Sequence, residues 1–263
     1  MKYKWEIAAE SKNKKLDKKY ENEDSYDFDK DIVLVADGVS GKRGGNIASQ
    51  LAVDQGKEKL RKLLASGIDG NELNSEIERI VNEVNSVIYE KSKEDITNED
   101  MSTTLTLAVQ YEGNLHIAGV GDSPAFIFEN GRIKRVTKDD SYEMRKVKEG
   151  ATEEELMRRM HSKDDYLIGS LGVEGEINVQ TYTIPLENVE YVVLMTDGVS
   201  KLVAPTELET ILQEEKSPEA VISRVMDIVS NPQKVAGMIG RDVKKLANLD
   251  DATIIIIKSY KEG

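Results

Sequence analysis

The sequence has no cysteine and only two histidines, His116 and His161, which lie far apart. Without cysteine, a disulfide scaffold, a zinc–thiolate site and a cysteine nucleophile are all excluded. Two distant histidines cannot build a histidine-rich metal centre within one chain. Proline is scarce, with 5 in 263 residues, and no Pro/Gly/Ser-rich linker, internal repeat or low-complexity tract interrupts the chain. One domain over residues 1–263 is therefore expected. Long apolar runs are also missing. None approaches the roughly 18–20 residues needed to cross a bilayer, and the N-terminus MKYKWEIAAESKNKKLDKKY lacks the apolar stretch of a signal peptide. The expectation is a cytoplasmic protein with no membrane partner. The formal net charge of −13 argues against nucleic acid as a partner, because such affinity comes mainly from neutralised phosphates. It does not exclude a phosphorylated substrate, since bound divalent cations can reverse the local sign.

What is present is a mixture of strand and helix patterns. DIVLVAD (31–37), YVVLMTD (191–197) and ATIIIIK (252–258) are short, continuously apolar and rich in branched residues, as strands buried on both faces are. TTLTLAVQY (103–111) alternates, with Leu105, Leu107 and Val109 on one face, and reads as a half-buried strand. Strand-like segments follow at 114–137, and Asn130-Gly131 between the last two is a strong hairpin signal. NELNSEIERIVNEVNSVIYEK (71–91) places Leu73, Ile77, Ile80, Val84 and Ile88 on one helical stripe, and 45–65 reads similarly. PTELETILQEE and SPEAVISRVMDIVS begin with helix start signals. Strict strand–helix alternation is absent, so the pattern points to an α+β fold with two packed sheets and helices outside.

Three aspartates sit at the edges of buried strands: Asp37 and Asp197 after one, Asp250 before one. Both Asp37 and Asp197 are followed by glycine, as DGVSG and DGVSK, which lets the chain turn sharply and offers a carbonyl oxygen. A carboxylate beside a carbonyl is hard-oxygen ligation suited to magnesium or manganese. One Asp-Gly is also an ordinary turn dipeptide. Two copies after matching strands, with Asp250-Asp251 before a third, favour a metal cluster, because carboxylates crowded at one sheet end repel without cations.

The ordered set ENED (21–24), ADGVSGKRGGNIAS (36–49), MSTTL (101–105), GVGDS (119–123), TKDDS (137–141), SLG (170–172), MTDGVS (195–200) and DDATIII (250–256) resembles the PPM family, the type 2C metal-dependent protein phosphatases. The resemblance implies two antiparallel β-sheets packed as a central sandwich flanked by α-helices, a four-layer α-β-β-α arrangement. It implies hydrolysis of phosphoserine and phosphothreonine in proteins, without a phosphoenzyme, by a hydroxide between two Mn2+ or Mg2+ ions. Carried over, Asp37 would bridge both ions and the Gly38 carbonyl would bind one. Asp197 and Asp250 would complete the second ion, and Glu23 with Asp24 would hold water at the metals. Asp122 would serve a third ion. The implied partners are a phosphorylated protein and a cognate kinase of the same pathway, with the phosphatase acting as a monomer. Residues 138–170 resemble the family's flap beside the active site.

The pattern departs from the family in places. Its phosphate-binding arginine falls at Lys19, which can attract phosphate but cannot make a bidentate fork. Val39 stands where some members carry a histidine, Pro124 where GDSR places arginine, and Ser102 replaces glycine. His116, in a strand, is expected to be structural, His161 to lie at the surface, and Arg43 to be a solvated loop charge. Two other readings compete: a catalytically silent phosphoprotein-binding regulator of the same fold, and a metal-dependent phosphoesterase acting on small molecules.

Overall fold

The continuously apolar runs do become strands buried on both faces. In the computed structural model of the chain, residues 2–14, 21–39, 44–94, 101–138, 169–231 and 250–262 are described. The strands are β1 (Tyr3–Lys12), β2 (Asp24–Phe28), β3 (Ile32–Asp37), β4 (Leu105–Tyr111), β5 (Asn114–Val120), β6 (Ala125–Glu129), β7 (Arg132–Arg135), β8 (Gln180–Pro185), β9 (Val189–Met195) and β10 (Ala252–Lys261). They form one sheet in the order β1-β10-β9-β6-β7 and a second in the order β2-β3-β4-β5-β8. Every pairing is antiparallel.

Alternation along the strands builds the layers. Val33 and Val35 of β3 meet Ile255 and Ile257 of β10 in the core between the sheets, with Ile117, Ile127, Val192 and Leu194. Ile32, Leu34 and Ala36 point the other way, into a core with α1 (Gly45–Ala65) and α2 (Leu73–Glu94). Ile254 and Ile256 likewise face α4 (Pro205–Glu214) and α5 (Pro218–Ser230) on the far side. The short α3 (Asp197–Ser200) lies between β9 and α4. Burial on both faces explains why these antiparallel strands look like the strands of a parallel sheet. The α+β sandwich is thus as expected. The reading of residues 103–111 as half-buried is corrected: every residue from Leu105 to Val109 is buried, because helices cover one face and the other sheet covers the second.

Local signals act where they were read. Asn130 and Gly131 join β6 to β7 with φ of 52° and 74°, the left-handed pair that a tight hairpin needs. Pro205 and Pro218 open α4 and α5, and the Ser217 hydroxyl caps the latter by accepting from the Ala220 N–H at 3.3 Å. His116 is buried on β5, its Nδ1 is 2.8 Å from Asn74 Oδ1, and burial lowers its pKa, so it is a neutral structural residue.

One buried polar residue ties the second sheet's helix layer to the loop before β8. Asn85 of α2 accepts from the Gly172 and Val173 N–H groups at 2.8 and 3.0 Å, and donates to the carbonyls of Val173 and Gly175 at 3.0 and 2.9 Å. That uses the full capacity of the amide. Gly172 is needed there, with φ of 96° and no room for a Cβ, which would lie 2.4 Å from the Met101 carbonyl oxygen. Replacing Asn85 by alanine strands four backbone groups under α2 and is expected to cost about 2–4 kcal/mol. Urea denaturation of Asn85→Ala beside the parent chain checks this; a loss below about 1 kcal/mol would mean that water replaces the amide freely.

Candidate active site

Sheet register brings the acids together. β2 and β3 pair so that Asp24 stands directly opposite Asp37, the last residue of its strand. In the facing sheet Met195 of β9 pairs with Ile254 of β10, so Asp197 and Asp250-Asp251 emerge at neighbouring strand ends. Two sheets packed face to face therefore present four strand ends at one rim.

Hydroxyls fix both backbone groups and carboxylates at the rim. The Asp37 N–H donates to Thr104 Oγ1 at 3.0 Å, and its carbonyl accepts from the Thr104 N–H and from Thr103 Oγ1, both at 2.9 Å. Thr104 Oγ1 in turn lies 2.8 Å from Ser123 Oγ. Asp24 Oδ2 accepts from Thr196 Oγ1 at 2.8 Å and from Thr253 Oγ1 at 2.7 Å, a clamp that joins the two sheets. Asp251 is buried and accepts the Lys14 N–H at 2.8 Å and the Glu23 N–H at 3.0 Å, which places Glu23 at the rim.

The glycines of the two Asp-Gly pairs are required by close packing. Neither Gly38 nor Gly198 has positive φ, so left-handed turning is not what selects them. A Cβ on Gly38 would lie 2.3 Å from the Gly45 carbonyl oxygen and 2.6 Å from that of Glu23. On Gly198 it would lie 2.0 Å from the Asp251 carbonyl oxygen. Both mark places where one strand end is pressed against another backbone.

Electrostatics follow from this crowding. Burial holds the Asp37 carboxyl well above the usual carboxylate range, and the charges of Asp24, Asp197, Asp250 and Asp122 raise it further. Asp24 is pushed up to about 7 by burial, against the two threonine bonds and with help from Asp251 and Asp197. Burial raises Asp197 as well, while Lys201 pulls it down. Lys201 pairs with Asp197 Oδ2. Lys14 Nζ reaches Glu23 Oε2 and Asp250 Oδ1, each at 3.2 Å. Asp24, Asp37, Asp122, Asp197 and Asp250 thus share one electrostatic cluster, and Glu23 joins it through Lys14. Lys19, Arg43 and His161 lie outside the described residues, as do residues 139–168 of the flap-like segment.

The cluster suits divalent cations. Asp24 Oδ1 and Asp197 Oδ1 are buried with no hydrogen-bond partner among the described residues, and the donors are all hard oxygens. Among the described residues no three acids are drawn up as a closed ligand set; several carboxylates turn to the lysine ammoniums instead.

A protein-family model described as Protein phosphatase 2C matches residues 14–240. The chain belongs to that family. It is 33% identical over 203 residues to the serine/threonine phosphatase stp of Listeria welshimeri, a match covering 75% of this chain and 76% of the relative. Two solved structures share the fold. Stp1 from Staphylococcus aureus matches 98% of this chain and 95% of its own, with a TM-score of 0.76 at 21% identity. The catalytic domain of PstP in complex with 2 manganese ions matches 99% of this chain and 100% of its own, with a TM-score of 0.73 at 22% identity.

In this type 2C chain the supporting hydroxyls lie inside the motifs MSTTL, GVGDS, MTDGVS and DDATIII, but their roles are not written in any one-dimensional pattern. Thr196 and Thr253 lie 57 residues apart in sequence, at neighbouring strand ends of one sheet. Only the register of two sheets shows that both meet Asp24. Asp251 is legible as half of an acidic pair, but its role as acceptor for two backbone N–H groups is not.

Asp24 also generates a pH prediction. Its folded pKa of about 7 lies above the 3.8 of an ordinary aspartate, so between these values the folded chain binds a proton that the unfolded chain has released. The group's contribution to stability is present at low pH and lost as pH rises through about 7. Asp37 and Asp197, raised in the same direction, act alike. In chelator-treated protein the thermal midpoint of Asp24→Asn relative to the parent should therefore improve as pH rises across this window. A difference that stays constant with pH would show that Asp24 ionises normally.

Proposed function

We propose that this member of the protein phosphatase 2C family hydrolyses phosphoserine and phosphothreonine in proteins, using two manganese or magnesium ions held at the rim of the sandwich. The observation that carries this is the Asp37 carboxyl, raised in pKa by its burial and ringed by Asp24, Asp122, Asp197 and Asp250, beside two buried carboxylate oxygens lacking partners among the described residues. Such an arrangement is unfavourable at neutral pH without cations. Asp37 and the Gly38 carbonyl would hold both ions, with Asp197 and Asp250 on the second, Glu23 and Asp24 completing the set and Asp122 serving a third. When bound, the ions would lower the pKa of a water and offset charge on the phosphoryl oxygens.

The chain's own groups do the rest. Thr103 and Thr104 fix the Asp37 backbone, and Thr196 with Thr253 orients Asp24, so these two acids have less to reorganise as an ion or substrate arrives. Lys19 is proposed to attract the phosphate dianion. The relative from Listeria is named a serine/threonine phosphatase, which supports a phosphoprotein substrate over a small molecule; a cognate kinase that phosphorylates that protein is part of the proposal.

The test is hydrolysis of a phosphothreonine peptide and of p-nitrophenyl phosphate, metal-free and with manganese or magnesium, beside Asp37→Asn and Asp197→Asn. Turnover should require a metal and fall by about a hundredfold or more in either variant. Folded protein silent with both ions would leave a phosphoprotein-binding module. Turnover of p-nitrophenyl phosphate alone would point to a small-molecule phosphoesterase.

A further inference from the structure

Lys14 lies just beyond β1, at the edge of the acid cluster, and its position is fixed twice. Its N–H donates to Asp251 Oδ1 at 2.8 Å. Its Nζ sits 3.2 Å from both Glu23 Oε2 and Asp250 Oδ1, and 4.0 Å from Asp251 Oδ2. The side chain is only 14% exposed, whereas that of Lys201, on Asp197, is 63% exposed. An ammonium largely shielded from water and touching three carboxylates is held far more firmly than a solvated surface pair. Glu23 and Asp250 belong to the set proposed above to hold metal. A divalent ion arriving at Asp250 binds a carboxylate whose Oδ1 the ammonium now contacts, and its charge repels that ammonium.

We infer that Lys14 is a built-in competitor for the metal: a tethered cation that neutralises the Glu23–Asp250 side of the pocket in the metal-free protein and is displaced when an ion binds. This rests on the metal-dependent reading of the site. Whatever stabilises the metal-free form relative to the loaded form subtracts from metal affinity, and the coupling is reciprocal. Removing the charge at Lys14 therefore tightens metal binding and destabilises the metal-free chain. Metal binding in turn releases the Lys14 amine. Lys201, more solvated, competes less.

Calorimetric titration of Mn2+ alone, and of Mg2+ alone, into the parent chain, Lys14→Met, Lys14→Arg and Lys201→Met tests the inference without reference to activity. Lys14→Met is expected to bind Mn2+ about fivefold or more tightly than the parent. Its thermal midpoint should be lowered in chelator and restored by saturating Mn2+. Lys14→Arg keeps the charge and should not gain affinity, and the gain in Lys201→Met should be smaller. Equal or weaker binding by Lys14→Met, or a midpoint lowered equally with and without Mn2+, would reduce Lys14 to a structural clamp and overturn the inference. If the parent binds neither ion, the metal-dependent reading falls and takes this inference with it; binding by the parent with no gain in Lys14→Met overturns this inference alone. Should Lys14→Met not fold, acetylation of the native chain decides. Lys14 modified faster in Mn2+ supports displacement, and an unchanged rate overturns it.

Discussion

Like-charge crowding at the rim of the sandwich is the constraint on which the rest of the site depends. Asp24 and Asp37 face each other across an antiparallel ladder, both deep enough that burial is the main cause raising their pKa. Two carboxylates so placed cannot both ionise cheaply in the metal-free chain, so protons and lysines share the work of neutralising them. Proton occupancy at Asp37 and Asp24 and ammonium contact at Asp197, Glu23 and Asp250 are two responses to one field. Divalent charge is a third, and the all-oxygen donor set suits it.

That field is sustained by a scaffold that has little freedom to relax. Asp24 Oδ2 joins β2 to the opposite sheet through Thr196 and Thr253, and Thr196 Oγ1 also accepts the Thr253 N–H at 2.9 Å. Parting the sheets at this end would break both bonds to Asp24 together, while the Thr196–Thr253 bond within one sheet holds the two hydroxyls in place to receive it. The wedge glycines act in the same sense. With Gly38 pressed between the backbones of Glu23 and Gly45, and Gly198 against Asp251, the strand ends are held close enough for their carboxylates to interact. The cost of the charge cluster is thus offset by packing and hydroxyl bonds a few ångströms beneath it.

Much of this architecture was legible because burial on both faces leaves an unmistakable apolar run, as in β3, β9 and β10. The α2 stripe was legible for the same reason, since Leu73, Ile77, Ile80, Val84 and Ile88 are all buried. β1 and β2 were not. β1 sets Lys4, Glu6 and Glu10 among Tyr3, Trp5, Ile7 and Ala9 in a basic N-terminal stretch, and becomes a strand because it pairs with β10 over its whole length. β2, DSYDF, is held by its ladder with β3 and not by apolar periodicity. The turn between β4 and β5 falls at 112–113, where the strand patterns leave it, although Glu112 adopts φ of 49° before Gly113 at 82° and glutamate is not a residue that advertises a left-handed turn. At the site, the acids were visible as strand-end residues. Their hydroxyl supports depend on register between sheets, which no single strand's pattern contains.

The overall charge of −13 sharpens the question of what holds an acid cluster in a chain already strongly acidic. Part of the answer is the placement of α1. This 21-residue helix begins at Gly45 with no acidic residue in its first turn and no side-chain cap. A Cβ on Gly45 would lie 2.9 Å from Glu23 Oε1, so the helix N-terminus lies against that carboxylate. The partial positive charge there favours an anion. An acid in the first turn of α1 would add repulsion to Glu23 and, through Lys14, to Asp250. The same helix covers the face of β3 that ends at Asp37. One element therefore completes the core beneath Asp37 and supplies favourable potential at the rim, which links the packing of the second sheet directly to the charge state of the site.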